Sequence, residues 1–395
     1  MAERPPPRPP LHDDVDVDVA IVGGGFSGLW TAHYLAAIDP SLRIVVLERE
    51  TCGFGASGRN GGWAVGELAG SVEAYAARSS LGEAVRQERA VADAVDEIGR
   101  VVERAGITCG YAKGGNIRLA RNEPQAQRQR DEIDRARSLG FTDDHVRLLT
   151  ADEARVFCAA TDVRSGIFFA PCAALDPAAL VVGLADAVES AGVVIHENTP
   201  VRAIDGRRVV AEHANVHAEV VVRATEAYTR DLQDERRTLL PVYSLMIATE
   251  PLDASVFDEI GLHDRPTFAD DRRNVIYGQR TDDDRIAFGS QGALPYRFGS
   301  VIDPPTELHD ASHAAILDTL HELLPILDGV TVTHRWGGVL AIPRNWLPSV
   351  RLDRQRGQAS LGGYVGEGVA ASNLAGRTLA ELIVGEETER TSLPW

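Results

Sequence analysis

The residues best placed to do chemistry are three glycines, Gly23, Gly25 and Gly28, spaced G-x-G-x-x-G within GGGFSG. Without a Cβ at these positions a chain can turn tightly, approach a diphosphate and let the next helix pack close to its sheet. A carboxylate, Glu48, stands 20 residues beyond Gly28. It is suited to accept both hydroxyls of an adenosine ribose, which disfavours a 2′-phosphate. The glycine pattern alone is weak, but its context is complete. VDVDVAIV precedes it, first alternating and then continuously apolar, as a strand entering a buried parallel sheet does. Leu29, Ala32, Leu35 and Ala36 share one face of the helix that follows, and RIVVLE reads as the next buried strand. Such a β–turn–α–β unit offers unpaired N–H groups and a partial positive charge to phosphates. The competing reading is a glycine turn in a unit that binds nothing.

A second match, GFGASG at 53–58, has no apolar strand leading into it and reads as a loop folding back along the cofactor. Around these residues the chain is that of an ordinary globular protein, with 395 residues, 44% hydrophobic and 25% charged. That length suits two closely packed domains. A net charge of -18 argues against nucleic acid or an anionic membrane as partner. No apolar run reaches membrane-spanning length. Cys52, Cys109, Cys158 and Cys172 fall in no metal-ligand spacing, so no metal site is expected, and four thiols in so long a chain point to a reducing, cytoplasmic setting. The proline-rich residues 1–13 read as a loose tail. Helices are expected over 82–105, 124–139, 177–191 and 312–324, with strands near 241–249, 275–278 and 285–289.

GASGRNGG at 55–62 resembles the D-amino-acid oxidase superfamily of FAD enzymes, and is most similar to its γ-glutamylputrescine oxidase and glycine oxidase-like branch. KGGNIRLA, ALDPAALVVGLA, VVRATEAYT, MIATEPL, RIAFGS, RWGG and GGYVGEGVAASNLAGR extend the resemblance over nearly the whole chain. It implies an α/β fold: an FAD-binding Rossmann-like domain of the glutathione-reductase type (14–80, 151–228, 333–395) with an interleaved α+β substrate domain on a large mixed or antiparallel sheet (81–150, 229–332). It implies a cofactor path. Gly23, Gly25, Phe26, Ser27, Gly28, Glu48 and Arg49 would take adenosine and diphosphate. Val201 would offer backbone to adenine, and Ala224 and Thr225 would line a crossover. Gly55, Ala56, Ser57, Arg59, Asn60, Gly61 and Gly62 would hold the ribityl chain and ring. Gly338 would lie beside them, and Gly363, Gly366, Gly368 and Val369 would bring a helix N-terminus to the flavin N1–C2=O edge.

Relatives that attach flavin covalently use a Cys or His, and neither stands in GASGRNGG or VLAIPRNWLP, so non-covalent FAD is expected. The implied reaction is oxidation of an amine or amino acid by hydride transfer to flavin, with O2 as electron acceptor. The implied substrate-side residues are Trp63, Tyr277, Gln279 and Trp336, with Arg118, Tyr243 and His334 as further candidates. Two departures stand out. PRNWLP at 343–348 replaces a T-x-D-x-x-P pattern, and the single lysine, Lys113, is not in the RIAFG strand where some amine oxidases carry one. A dehydrogenase passing electrons to a quinone or protein is therefore an alternative, and a non-catalytic flavin-bound scaffold is another. An NADPH-dependent monooxygenase is disfavoured, because no second strand–GxGxxG–helix unit occurs.

Overall fold

The structure, a computed structural model, describes residues 6–291, 302 and 304–395. In chain order its strands are β1 (Val15–Val22), β2 (Ile44–Leu47), β3 (Trp63–Val65), β4 (Asn116–Ala120), β5 (Val146–Thr150), β6 (Ser165–Phe169), β7 (Cys172–Ala174), β8 (Val194–His196), β9 (Val201–Asp205), β10 (Arg208–Ala211), β11 (Asn215–Arg223), β12 (Leu240–Thr249), β13 (Thr267–Asp270), β14 (Ile276–Arg280), β15 (Ile286–Gln291), β16 (Val332–Ile342), β17 (Ser349–Asp353) and β18 (Gln358–Gly362). The helices are α1 (Phe26–Ile38), α2 (Val72–Ala76), α3 (Leu81–Ala105), α4 (Glu123–Ser138), α5 (Ala151–Phe157), α6 (Pro177–Ser190), α7 (Ala254–Ile260), α8 (Asp310–Leu323) and α9 (Gly368–Val384).

The apolar run of β1 sits centrally in a sheet ordered β17-β18-β11-β1-β2-β8, parallel through β18-β11-β1-β2-β8. Both faces of β1 are covered, which is why its second half is apolar without alternation. Ile21 faces the α1, α6 and α9 side, and Ala20 and Val22 face the opposite cluster. α9 lies against α1 because Gly376 has no side chain; a Cβ there would stand 2.7 Å from Trp30 Cβ.

The second sheet runs β16-β12-β15-β14-β13-β4-β6-β5 and is antiparallel except for the β13–β4 pair. Alternation decides its two faces. Leu245, Ile247, Ile276, Ile286 and Phe288 pack into a core with α5, α7 and α8 residues. Met246, Tyr277, Gln279 and Gly289 therefore point to the other face, where the 55–62 loop lies. β3 and β7 form a two-stranded link between the sheets.

Two expectations need correction. β6 and β16 belong to the second sheet, so the interleaving is finer than the segments 151–228 and 333–395 imply. Antiparallel pairing of β5 with β6 (Val146 opposite Phe169) and of β12 with β16, far along the chain, overrides any compositional boundary. The tail is also anchored where it is described; residues 1–5 lie outside the described residues. Arg8 pairs with Asp186, Glu189 and Glu197 at 2.6, 2.5 and 3.3 Å, and Leu11 is 3% exposed beneath the first sheet. A low apolar content hides one well-buried leucine and one cation with three acidic partners.

Candidate active site

Each glycine of 23–28 meets a neighbour that a side chain would strike. Gly23 has φ +112°, and a Cβ there would lie 2.5 Å from the Ala224 carbonyl oxygen. At Gly28 it would lie 2.0 Å from the Gly23 oxygen, and at Gly25 2.8 Å from Ser57 Oγ. That hydroxyl accepts the Phe26 N–H at 2.9 Å, so the 55–62 loop reaches over the start of α1. Glu48 accepts the Gly24 N–H at 2.7 Å and the Glu50 N–H at 3.0 Å, while burial raises its carboxyl pKa.

A single cavity gathers most of the expected cofactor residues. Glu48 and Arg49 follow the end of β2, and β9 begins with Val201. Gly23, Gly25, Phe26 and Ser27 come from the first turn, and Ala224 and Thr225 from the end of β11. Gly55, Ala56, Ser57 and Asn60 come from the loop, and Gly366, Gly368 and Val369 from the start of α9. Among the described helices of eight or more residues, α3, α4, α6 and α8 have a side-chain cap from their own N-cap residue, and α1 and α9 do not. Neither of those two has an acidic residue in its first turn. Two positive helix ends open into one cavity, with the Glu48 carboxylate on its wall. That donor set fits the diphosphate, sugar and electron-rich ring edge of FAD.

Six expected residues do not line this cavity. Gly28 packs beneath the turn. Gly338 backs the loop, with a would-be Cβ 3.3 Å from Arg59 Cβ. The Gly363 N–H is used by Glu226 at 2.9 Å. Gly61 and Gly62 lie on the second sheet, where a Cβ would reach the Tyr277 ring at 2.7 Å and Gln279 Nε2 at 2.0 Å. Arg59 turns away: it pairs with Glu307, lies 4.7 Å over the Phe54 ring and donates to the Phe54 oxygen at 2.7 Å. An available carboxylate and aromatic face hold it there instead of at the ribityl chain.

The loop itself is tied by side chains. Asn60 closes it from within, donating to the Ala56 and Ser57 oxygens at 3.1 and 2.9 Å and accepting the Gly62 N–H at 2.8 Å. From the sheet, Trp336 Nε1 donates to the Arg59 oxygen at 2.9 Å. Gln279 Nε2 donates to the Gly61 and Leu175 oxygens at 2.8 and 3.1 Å. Trp336 and Gln279, expected beside substrate, thus clamp the loop backbone. Trp63 and Tyr277 meet edge to face, ring centroids 6.1 Å apart. The Tyr277 hydroxyl bonds Ser244, and burial pushes its phenol up to about 12. Of the further candidates, Arg118 is paired with Glu132 and, at 3.8 Å, with Asp271, and His334 Nδ1 is bonded to Thr333 at 2.8 Å. Tyr243 lies on β12, opposite Val339 of β16.

Sequence reading missed several groups. Tyr364 bonds Ser27 Oγ at 2.9 Å at the cavity wall, and Tyr228 lies beneath the Arg49 guanidinium at 4.7 Å. Glu226 also lines the cavity. All three sit inside segments that resemble the family, VVRATEAYT and GGYVGEG, but the resemblance points to segments rather than to these side chains. Glu67, Glu88 and Glu367 make a mutually repelling acidic group near Tyr277; burial first, then neighbouring carboxylates, push Glu88 up to about 8 and Glu367 up to about 7. Nothing local marks them, because they come from three distant segments.

Comparison with known proteins agrees with this geometry. The family model described as FAD dependent oxidoreductase (DAO) matches residues 18–382. A probable oxidoreductase OrdL of Haemophilus influenzae is 29% identical, over 98% of this chain and 86% of its own. The gamma-glutamylputrescine oxidoreductase of Escherichia coli is 27% identical, over 98% of this chain and 88% of its own. Glycine oxidase from Geobacillus kaustophilus shares the fold with a TM-score of 0.76 at 22% identity, covering 96% of each chain. The chain belongs to the DAO family of FAD-dependent oxidoreductases.

Proposed function

We propose that this protein oxidises the C–N bond of an amine or amino acid to an imine, which water hydrolyses. When bound, FAD supplies the two-electron acceptor for the C–H beside the nitrogen. The observation that carries the reading is the cavity into which α1 and α9 open, ending at a loop clamped onto the face that bears Trp63 and Tyr277. Trp63 supplies an aromatic wall against which a cationic amine can rest. Its indole Nε1 is buried without a partner among the described residues. Gln279 and Trp336 act as positioning residues, fixing the backbone of 59–61. The relatives named for γ-glutamylputrescine and glycine support a nitrogen-bearing substrate.

We infer that FAD is held without a covalent bond. All four thiols are buried, and Cys52 Sγ lies by Gly24 and Glu48, with its pKa raised by burial. Those thiols also support a reducing, cytoplasmic setting, and among the described residues no helix is long and apolar enough to cross a membrane. O2 is the proposed acceptor. One observation favours a second reading, a dehydrogenase using another acceptor: the single lysine, Lys113, pairs with Asp96 in a separate surface hollow. An anaerobic screen of amines, amino acids and aminophosphonates tests the function. Loss of oxidised-flavin absorbance with one of them is expected, and none reducing the flavin would sink the proposal. Peroxide release in air then separates oxidase from dehydrogenase.

A further inference from the structure

Glu226 brings a negative charge into the cofactor cavity, where a diphosphate must also enter. It opens the 3₁₀ turn Glu226–Asp231 directly after Thr225, with φ +42°. A long side chain seldom adopts that left-handed conformation. Three backbone amides hold it there. Gly363 N–H donates to Oε2 at 2.9 Å, and the backbone amides of Tyr364 and Ala341 also favour the charged form of the same carboxylate. Converging N–H groups of this kind form an anion nest, and here the chain's own carboxylate fills it. Gly362 must leave room for that carboxylate, since a Cβ would stand 2.5 Å from Oε2.

The same cavity is lined by Gly23, Ser57 and Thr225. The other titratable or charged groups facing it are Glu48 and Arg49 after β2, Tyr228 and Asp231 on the turn, and Tyr364 before α9; α1 offers the Ser27 hydroxyl. Arg49 is engaged by Asp231 at 3.0 Å and by the Tyr228 ring. Among the described residues Glu226 has no cationic partner. Burial outweighs the three amides and pushes its carboxyl up to about 7. A dinucleotide adds two phosphate charges to this enclosed space, and like charges in low dielectric favour the neutral acid.

We propose that Glu226 takes up one proton from solvent as FAD enters the cavity, so that cofactor binding is linked to the charge of this carboxylate. The step is carboxylate plus proton to carboxylic acid, and no electrons move. One oxygen keeps the amide donors, and the new O–H becomes a donor inside the cavity. The proposal rests on the cofactor assignment and is independent of which amine is oxidised.

The test is FAD binding to the full-length apoprotein between about pH 6 and 9, by quenching of flavin fluorescence, with calorimetry in buffers of different ionisation enthalpy. The wild type is expected to hold a constant Kd below about pH 7 and to weaken above it, towards tenfold per pH unit, with uptake of about one proton. E226Q and E226N are expected to bind with no such slope. E226N is short and tolerates the left-handed backbone, so it decides the matter if the amide of E226Q disturbs the nest. A flat wild-type profile overturns the proposal. So does a slope that persists in the folded variants, which would place the proton on another carboxyl by the cavity, Glu48 or Glu367.

Discussion

The two halves of the active site are built differently. The half proposed to receive adenosine and diphosphate is made mostly of backbone: glycines at 23, 25 and 28, two helix starts, and Glu48 held by amides. The half proposed to face substrate is made of side chains from remote strands: Trp63 on β3 and Tyr277 on β14, with Gln279 on β14 and Trp336 on β16 clamping the loop between them. A backbone site tolerates little change, because the contacts at Gly23 and Gly28 are with carbonyl oxygens that cannot move aside. A side-chain site is graded, because neighbours can repack and only the substrate contact is lost.

The sharpest way to break this contrast is Gly28→Val. Its Cβ would sit 2.0 Å from the Gly23 oxygen, and a loss of at least about 3 kcal/mol is expected, since backbone cannot yield as a side chain does. The variant should purify without flavin and unfold at lower denaturant; retention of flavin would mean the turn is not under that constraint. Glu48→Ala comes next. Removing a charged acceptor costs about 1.5–3 kcal/mol, so the FAD Kd should rise roughly 10- to 100-fold with the fold intact, as read by flavin fluorescence.

The same contrast governs what could be read in the sequence. The glycines at 23, 25 and 28 were legible because a collision prescribes residue type at fixed spacing. The parallel sheet was legible from the unbroken apolar run of β1. The pairing of Arg59 with Glu307 was not legible, because a guanidinium goes to whichever carboxylate folds near it, and Glu307 lies far along the chain. The place of β16 in the second sheet was not legible, because its pairing with β12 is a long-range match that no local pattern records. Glu226, Glu67 and Glu367 were invisible for the same reason: each gains its meaning from amides or carboxylates that only the fold brings close.

Smaller effects are expected on the side-chain half. Trp336→Phe removes the bond from Nε1 to the Arg59 oxygen. It should lose about 1 kcal/mol and shift the flavin spectrum as the loop loosens, whereas an unchanged spectrum would leave the indole a packing role only. Glu88→Gln should be the mildest. A carboxyl pushed up to about 8 by burial holds its proton in the folded state and releases it when unfolded. Stability contributed by that proton is full below the ordinary carboxylate pKa and is lost as pH rises towards 8. The variant should therefore melt a few degrees above wild type at about pH 8 and no higher at about pH 4; equal shifts at both would dismiss the carboxyl as the cause.

The division of labour between the halves is tested most directly by one measurement: anaerobic reduction of FAD-loaded Trp63→Ala by the amine that reduces the wild type, followed at the oxidised-flavin band. Full flavin occupancy with reduction weakened roughly tenfold in kcat/KM, about 1.4 kcal/mol of lost substrate stabilisation, is the expected result. Loss of the flavin, or reduction as efficient as wild type, would contradict it.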